Sequence, residues 1–186
     1  MQSDWTAIAM IQARPVPEPL VLDASAAMAI IRSESERDVV IRILREHATT
    51  GSETLVPGHF WLELVNVLGR RFGLSPDAVL RGVQLLDEFD LRTIEVDRPL
   101  LLLTIDRLAT FGLAAYDAIY LALAESLHAS LLTLDARLMA AAGTRALGVG
   151  PRRLSETAAP YGSDPSEVWA EYGAYLAELR RQALVG

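Results

Sequence analysis

From residue 20 onward, short runs of consecutive apolar residues alternate with longer stretches in which apolar residues recur every three or four positions, a pattern typical of strands alternating with helices. The predicted strands are LVLD (20–23), ETLVP (53–57), LRTIEV (91–96), SLLTL (130–134) and TRALGV (144–149). The predicted helices are 24–32, 33–48 (capped by Ser33 or Ser35), 58–73, 75–89, 97–112, 114–129 and 135–143. This alternation predicts an α/β domain with a mostly parallel central sheet that helices cover on both faces.

The pattern changes at both ends of the chain. Residues 1–19 close with RPVPEP, whose prolines favour an extended linker. After Gly150 the sequence is loop-like until Asp164, where a final amphipathic helix begins; its apolar stripe is Trp169, Tyr172, Leu176, Leu179 and Ala183. We therefore predict an N-terminal extension (1–19), a core domain (20–149) and a C-terminal loop with an amphipathic helix (150–186). Three roles stay open for that helix: docking on the core, a dimer interface, or a plug of the functional site.

Composition excludes several classes of protein. At 51% hydrophobic residues and a mean hydropathy of +0.24, the chain of 186 residues can bury a sizeable core. No apolar run approaches the ~20 residues that a membrane span needs, and we expect a soluble, cytoplasmic protein. Cysteine is absent, which excludes disulfides, thiolate metal sites and cysteine nucleophiles. All 17 basic residues are arginine, and the lack of lysine excludes a P-loop, a haloacid-dehalogenase-like phosphatase and a response-regulator receiver.

Four acidic residues occupy equivalent places in the predicted fold. Asp23 and Asp135 each end a predicted strand, at LVLD and LLTLD. Glu63 lies one turn into the apolar helix that follows the second strand, and Asp117 lies in the first turn of YDAIYLALA. Ligands of open α/β sheets collect beyond the carboxyl ends of the strands. We therefore expect all four carboxylates at one edge of the sheet.

Each of these acids also has a structural interpretation. Asp23 and Asp135 are good N-caps, and Asp117 complements a helix dipole. Glu63 is harder to explain, because the apolar residues of FWLELVNVL surround it on every side of its helix, and a charged residue in such a helix is rarely buried without a partner. An arginine is one candidate partner.

Taken together, the four carboxylates favour a metal site. Clustered carboxylates raise one another's pKa unless a cation lies among them. Sites made only of oxygen ligands select hard ions such as Mg²⁺ or Mn²⁺. Such an ion polarises a phosphoryl oxygen and supplies hydroxide near neutral pH. The chemistry that this pattern predicts is metal-assisted hydrolysis of a phosphodiester bond.

The motifs VLDASAAM, FWLELVNVL, GLAAYDAIYLALA and LLTLDARL, in this order, resemble a PIN domain, specifically a toxin of the VapC type. The resemblance covers about residues 20–149. It implies a PIN-like three-layer α/β/α fold and an endoribonuclease that depends on Mg²⁺ or Mn²⁺. It also implies RNA as the substrate, a VapB-type antitoxin as the inhibiting partner, and a homodimer.

The resemblance assigns roles to particular residues. The four acidic residues of the family's site fall on the same four positions. The resemblance implies that Asp23 and Asp117 are the principal metal ligands. It implies that Glu63 and Asp135 complete the metal's ligand shell, directly or through water, and help to orient the attacking water. Two hydroxyl residues of the motifs, Ser25 and Thr133, are implied donors to the carboxylates.

Contacts to RNA must come from local arginines, because the net charge is −7. The candidates are Arg70 and Arg71, with Arg152 and Arg153 as a second pair; the alternative interpretation is a solvated surface. His59, four residues before Glu63, shares its helix face and either contributes to the metal site or belongs to the helix cap. The alternative function is a catalytically silent PIN-like module that binds a protein partner.

Overall fold

The computed structural model of the chain describes residues 17–148, which belong to one compact unit. The predicted C-terminal loop and helix, and all but the last three residues of the predicted N-terminal extension, lie outside this range. The candidate pair Arg152 and Arg153 lies outside it as well.

Within residues 17–148 the centre of the fold is a parallel sheet of five strands in the order β3-β2-β1-β4-β5. The strands are β1 (Leu20–Leu22), β2 (Thr54–Pro57), β3 (Leu91–Ile94), β4 (Ser130–Thr133) and β5 (Ala146–Gly148). Every residue of β1 and β2 is buried, as expected of strands with helices on both faces. The predicted α/β class and the mostly parallel sheet are confirmed.

Seven α-helices flank the sheet in the described part of the chain. They are α1 (Ala24–Ile31), α2 (Arg37–Thr49), α3 (Phe60–Asn66), α4 (Pro76–Leu86), α5 (Arg98–Phe111), α6 (Ala115–Ser126) and α7 (Ala136–Ala142). Helix α6 is buried along the whole of residues 118–124, which explains its apolar sequence. Helix α5 instead exposes Leu101, Leu102 and Ile105. In residues 17–148 no single helix is long and apolar enough to cross a membrane; α5 and α6 pass that test only as a pair bent by 113°.

Helix α2 begins later than the sequence predicts. Ser33 has φ 53°, in the left-handed region, and the backbone N–H of Glu34 donates to the carbonyl of Ala29, so this segment closes α1. Helix α2 then starts at Arg37, and Glu36 at its N-cap position makes no side-chain capping bond. The predicted cap at Ser33 or Ser35 is therefore wrong, because Ser33 belongs to the end of the preceding helix and the Ser35 hydroxyl donates to the Glu36 carboxylate.

The predicted helix 58–73 is divided. Helix α3 passes into a π-helical turn at Val67–Arg71. Phe60, Leu64 and Leu68 are buried, whereas Leu62 is 73% exposed. This helix therefore has one buried face and one solvent face, although apolar residues lie on every side of it.

Candidate active site

Asp23 and Asp135 follow the two central strands of the sheet. β1 pairs with β4 from Leu20 opposite Ser130 to Leu22 opposite Leu132, so the two chains leave the sheet side by side. Each aspartate then caps the next helix. The Asp23 carboxylate accepts from the backbone N–H of Ser25 at 3.3 Å, and Asp135 Oδ1 accepts from the N–H groups of Arg137 and Leu138 at 2.9 and 2.7 Å. Both acids are N-caps, and both lie at the predicted edge.

Two hydroxyl groups hold the buried Asp23 carboxylate. Thr133 Oγ1 donates to Asp23 Oδ2 at 2.7 Å, and the Ser25 hydroxyl donates to the same oxygen. These hydroxyls accept bonds in turn, Ser25 Oγ from the N–H of Leu134 at 2.9 Å and Thr133 Oγ1 from the N–H of Asp135 at 3.0 Å. The network ties the end of β1 to the end of β4 and fixes the orientation of Asp23, which is 3% exposed.

Glu63 reaches the same region from α3, and its hydrogen-bond partner is a tyrosine. The hydroxyl of Tyr120 donates to Glu63 Oε2 at 2.8 Å. Tyr120 is fully buried on α6, three residues after Asp117. Sequence reasoning considered an arginine here and missed Tyr120, although a tyrosine inside an apolar helix normally finds a partner for its hydroxyl.

His59 lies against this pair without a capping bond. Its Nε2 is 3.7 Å from Glu63 Oε2, which is beyond hydrogen-bond distance. Its ring packs against those of Tyr116 and Tyr120, with centroids 5.7 and 5.0 Å away. His59 occupies the N-cap position of α3 but makes no side-chain bond to the helix, and burial lowers its pKa.

The four acids influence one another electrostatically. Burial raises the pKa of Asp23, hydrogen bonds from Ser25 and Thr133 oppose the rise, and the charge of Asp135 adds to it. Burial also raises the pKa of Glu63, to about 7, and the charges of Asp23 and Asp117 contribute. Asp117 lies half-buried in the first turn of α6, as predicted. The structure therefore brings the predicted quartet into one neighbourhood.

The donor chemistry of this neighbourhood fits a hard divalent cation, although the oxygens are not gathered into a finished shell. In residues 17–148 no group of three His, Asp or Glu side chains is close enough to hold a metal ion. The quartet consists of carboxylates, the preferred ligands of Mg²⁺ and Mn²⁺. At Asp23 and Glu63 burial disfavours the ionised form, and a cation would favour it.

Three exposed arginines follow two of the site acids along the chain. Arg70 and Arg71 are exposed on the π-helical turn after α3, with the guanidinium of Arg71 5.8 Å from the ring centroid of Phe72. Arg137, which sequence reasoning missed, is exposed two residues after Asp135, and its Nη2 donates to the carbonyl of Gly112 at 2.8 Å. Arg137 thereby ties α7 to the connection that leads into α6.

Residues 20–143 match the family model of the PIN domain. The chain belongs to the PIN domain family. This PIN domain is similar in structure to VapC20 of Mycobacterium tuberculosis, a toxin described as cleaving the sarcin–ricin loop. The TM-score is 0.55 and the sequence identity is 17%, and the match covers 68% of this chain and 97% of VapC20. It is also similar to a toxin–antitoxin complex from Klebsiella pneumoniae (TM-score 0.53, 14% identity, 72% and 99% of the two chains).

A third similar structure is FitAcB from Neisseria gonorrhoeae, with a TM-score of 0.51 and 18% identity over 69% of this PIN domain chain and 96% of that one. No curated protein matches the chain in sequence. The resemblance that the motifs indicated is thus confirmed for the family and for the three-layer fold. At these identities the structural likeness establishes the fold alone.

Proposed function

We propose that this PIN domain is a metal-dependent endoribonuclease and the toxin of a toxin–antitoxin pair. The observation that carries the proposal is the electrostatic coupling of Asp23, Glu63, Asp117 and Asp135 at the carboxyl edge of the sheet. Mutually repelling, partly desolvated carboxylates lower the stability of the protein without a cation. Their presence together is expected of a site that binds one, and the similar structures include a toxin described as cleaving the sarcin–ricin loop.

In this proposal the site residues are either metal ligands or groups that orient those ligands. Asp23, fixed by two hydroxyls, and Asp117 are the principal ligands of Mg²⁺ or Mn²⁺, and Asp135 completes the shell directly or through water. When bound, the ion polarises a phosphoryl oxygen and lowers the pKa of a water molecule. Ser25 and Thr133 hold Asp23 Oδ2 by hydrogen bonds, which leaves Oδ1 to bind the cation.

Glu63 is the residue suited to move a proton. Without a cation its pKa is raised to about 7, and a bound cation would favour the ionised form that a general base needs. Oε2 accepts from Tyr120, which leaves Oε1 to orient the attacking water and receive its proton. Glu63 thus supports hydrolysis as a base, as a metal ligand, or as both through one water.

We further propose the partners that the family resemblance implies. Arg70 and Arg71 supply contacts to RNA phosphates, because the net charge of −7 offers no broad basic face. A second copy of the chain and a VapB-type antitoxin are the protein partners, and the exposed leucines of α5 provide apolar surface for such contacts. An enzyme that cuts cellular RNA under the control of an antitoxin acts in the cytoplasm.

A catalytically silent module that binds a protein partner is the second candidate. The observation that favours it is the lack, among residues 17–148, of three acids close enough to hold a metal without rearrangement. In such a module the carboxylates receive an arginine of the partner instead of a cation.

Cleavage of a mixed cellular RNA pool separates the two candidates. The protein is incubated with Mg²⁺, Mn²⁺ or EDTA, beside the variants Asp23→Asn and Asp117→Asn. Asp38→Asn is the matched control, because Asp38 lies on α2 with 93% of its side chain exposed. We expect discrete fragments that need metal, persist in Asp38→Asn and vanish in both site variants.

Two results would contradict the nuclease. Cleavage that survives EDTA or both site variants would exclude the acidic metal site. No cleavage under any metal, by a folded protein that still binds its partner, would favour the binding module.

A further inference from the structure

The hydroxyl of Tyr120 stands where three of the acid-bearing segments meet. Tyr120 belongs to α6, the helix of Asp117, and its hydroxyl donates to Glu63 of α3 at 2.8 Å. The backbone of Ala24, the residue after Asp23 and the first of α1, also interacts with this hydroxyl. One oxygen atom therefore connects the helices that carry three of the four carboxylates.

This hydroxyl is a constant donor. Burial raises the pKa of Tyr120, and the negative charges of Asp23 and Glu63 raise it further. The phenol is consequently protonated at neutral pH, and its hydroxyl donates to Glu63 Oε2. The ring is fully buried, so packing fixes the position of the donor.

Packing alone leaves the Glu63 side chain some freedom, because 29% of it is exposed. Leu62 just before it and Val65 two positions after it are exposed as well. His59 Nε2 lies 3.7 Å from Glu63 Oε2 and does not bond to it. A free glutamate side chain would sample several rotamers, and the bond from Tyr120 selects one.

We propose that Tyr120 is a positioning residue whose hydroxyl holds the Glu63 carboxylate on the side of Asp23 and Asp117, so that Glu63 has less freedom to lose when a divalent cation binds. This inference rests on the proposed function, because it concerns the same acidic site. Removing a group that hydrogen-bonds to a metal ligand commonly weakens metal binding about 10–100-fold.

Mn²⁺ binding by calorimetry tests the role directly, without relying on RNA cleavage. Tyr120→Phe removes the hydroxyl and keeps the buried ring. Tyr116→Phe is the matched control, because Tyr116 lies on the same helix and is 68% exposed. We expect about 10–100-fold weaker Mn²⁺ binding for Tyr120→Phe and unchanged binding for Tyr116→Phe. Urea unfolding of both variants verifies that the folded state is populated.

A double-mutant cycle distinguishes positioning from a general loss of structure. If Tyr120 acts through Glu63, Tyr120→Phe has no further effect on Mn²⁺ binding in a Glu63→Gln background. The same loss in that background would overturn the assignment, as would wild-type affinity in Tyr120→Phe. A wild-type protein that binds no Mn²⁺ would overturn the metal-dependent function together with this inference, whereas wild-type binding with an unaffected Tyr120→Phe would overturn only the latter.

Discussion

Replacing Glu63 by Gln should stabilise the metal-free protein at alkaline pH and have little effect at acidic pH. The pKa of Glu63 is raised from 4.5 to about 7, first by burial and then by the charge of Asp23. Between these two values the folded protein holds a proton that the unfolded chain has already lost, so stability falls as the pH rises through this window. Above it, the folded state carries a buried charge that glutamine does not have.

The structure sets the size of the effect. The interval from 4.5 to about 7, at about 1.4 kcal/mol for each pH unit, corresponds to about 3 kcal/mol as an upper bound. Because 29% of the Glu63 side chain is exposed, water screens part of this cost, and we expect about 1–3 kcal/mol. For a domain of this size that is a rise of several degrees in Tm, at about 2–4 °C for each kcal/mol.

Urea unfolding in EDTA, at pH 5 and at pH 8, measures the effect. We expect the free energy of unfolding of Glu63→Gln to exceed that of the wild type at pH 8, with the difference shrinking toward pH 5. Glu95→Gln is the control, because Glu95 is exposed after β3, and it should show no such difference. A difference for Glu63→Gln that is independent of pH, or a variant less stable at pH 8, would refute the electrostatic account.

Two further pairs of variants test the packing behind the site, both by urea unfolding at pH 7. Thr133→Val should lower the free energy of unfolding by about 1–3 kcal/mol, because it removes a buried donor to Asp23. Thr104→Val loses only a bond to a helix carbonyl and should lower it less. Equal losses in the two variants would contradict the importance of the network around Asp23. Gly82→Ala should destabilise the protein by about 1–3 kcal/mol, because the new Cβ would lie 2.9 Å from Ile31 Cγ2 of α1. Gly69 has open space around it, and Gly69→Ala should be neutral or stabilising. A stabilised Gly82→Ala would show that α1 and α4 separate easily.

The strand-end acids could be predicted because their positions follow from local rules. Asp23 directly follows the apolar run LVL, and Asp135 directly follows LLTL. The carboxyl ends of parallel strands lie at one edge of a sheet. The same residues are also N-caps, so the capping and the functional interpretations coexist. Pattern alone could not choose between them, since a carboxylate that caps a helix can also bind a cation.

The surroundings of Glu63 could not be predicted, because they depend on contacts between distant helices. Tyr120 is 57 positions away from Glu63, and only the packing of α6 against α3 brings the hydroxyl to the carboxylate. The predicted start of α2 is wrong for a related reason. Ser33 is a favourable N-cap by residue type, but in the fold it belongs to the end of α1. Periodicity reports which face is apolar, and it does not report which partner covers that face.

The pairing of β1 with β4 has a consequence for biosynthesis. Asp23 and the Thr133 hydroxyl that orients it are 110 positions apart, so a growing chain leaves the ribosome with the first carboxylate long before its partner strand exists. Contacts of such high sequence separation form late in folding. A nascent chain that has not reached β4 therefore lacks Asp135 and the Thr133 hydroxyl that orients Asp23. The proposed nuclease would be harmless during most of its own translation, and an antitoxin would need to meet it only near completion of the domain.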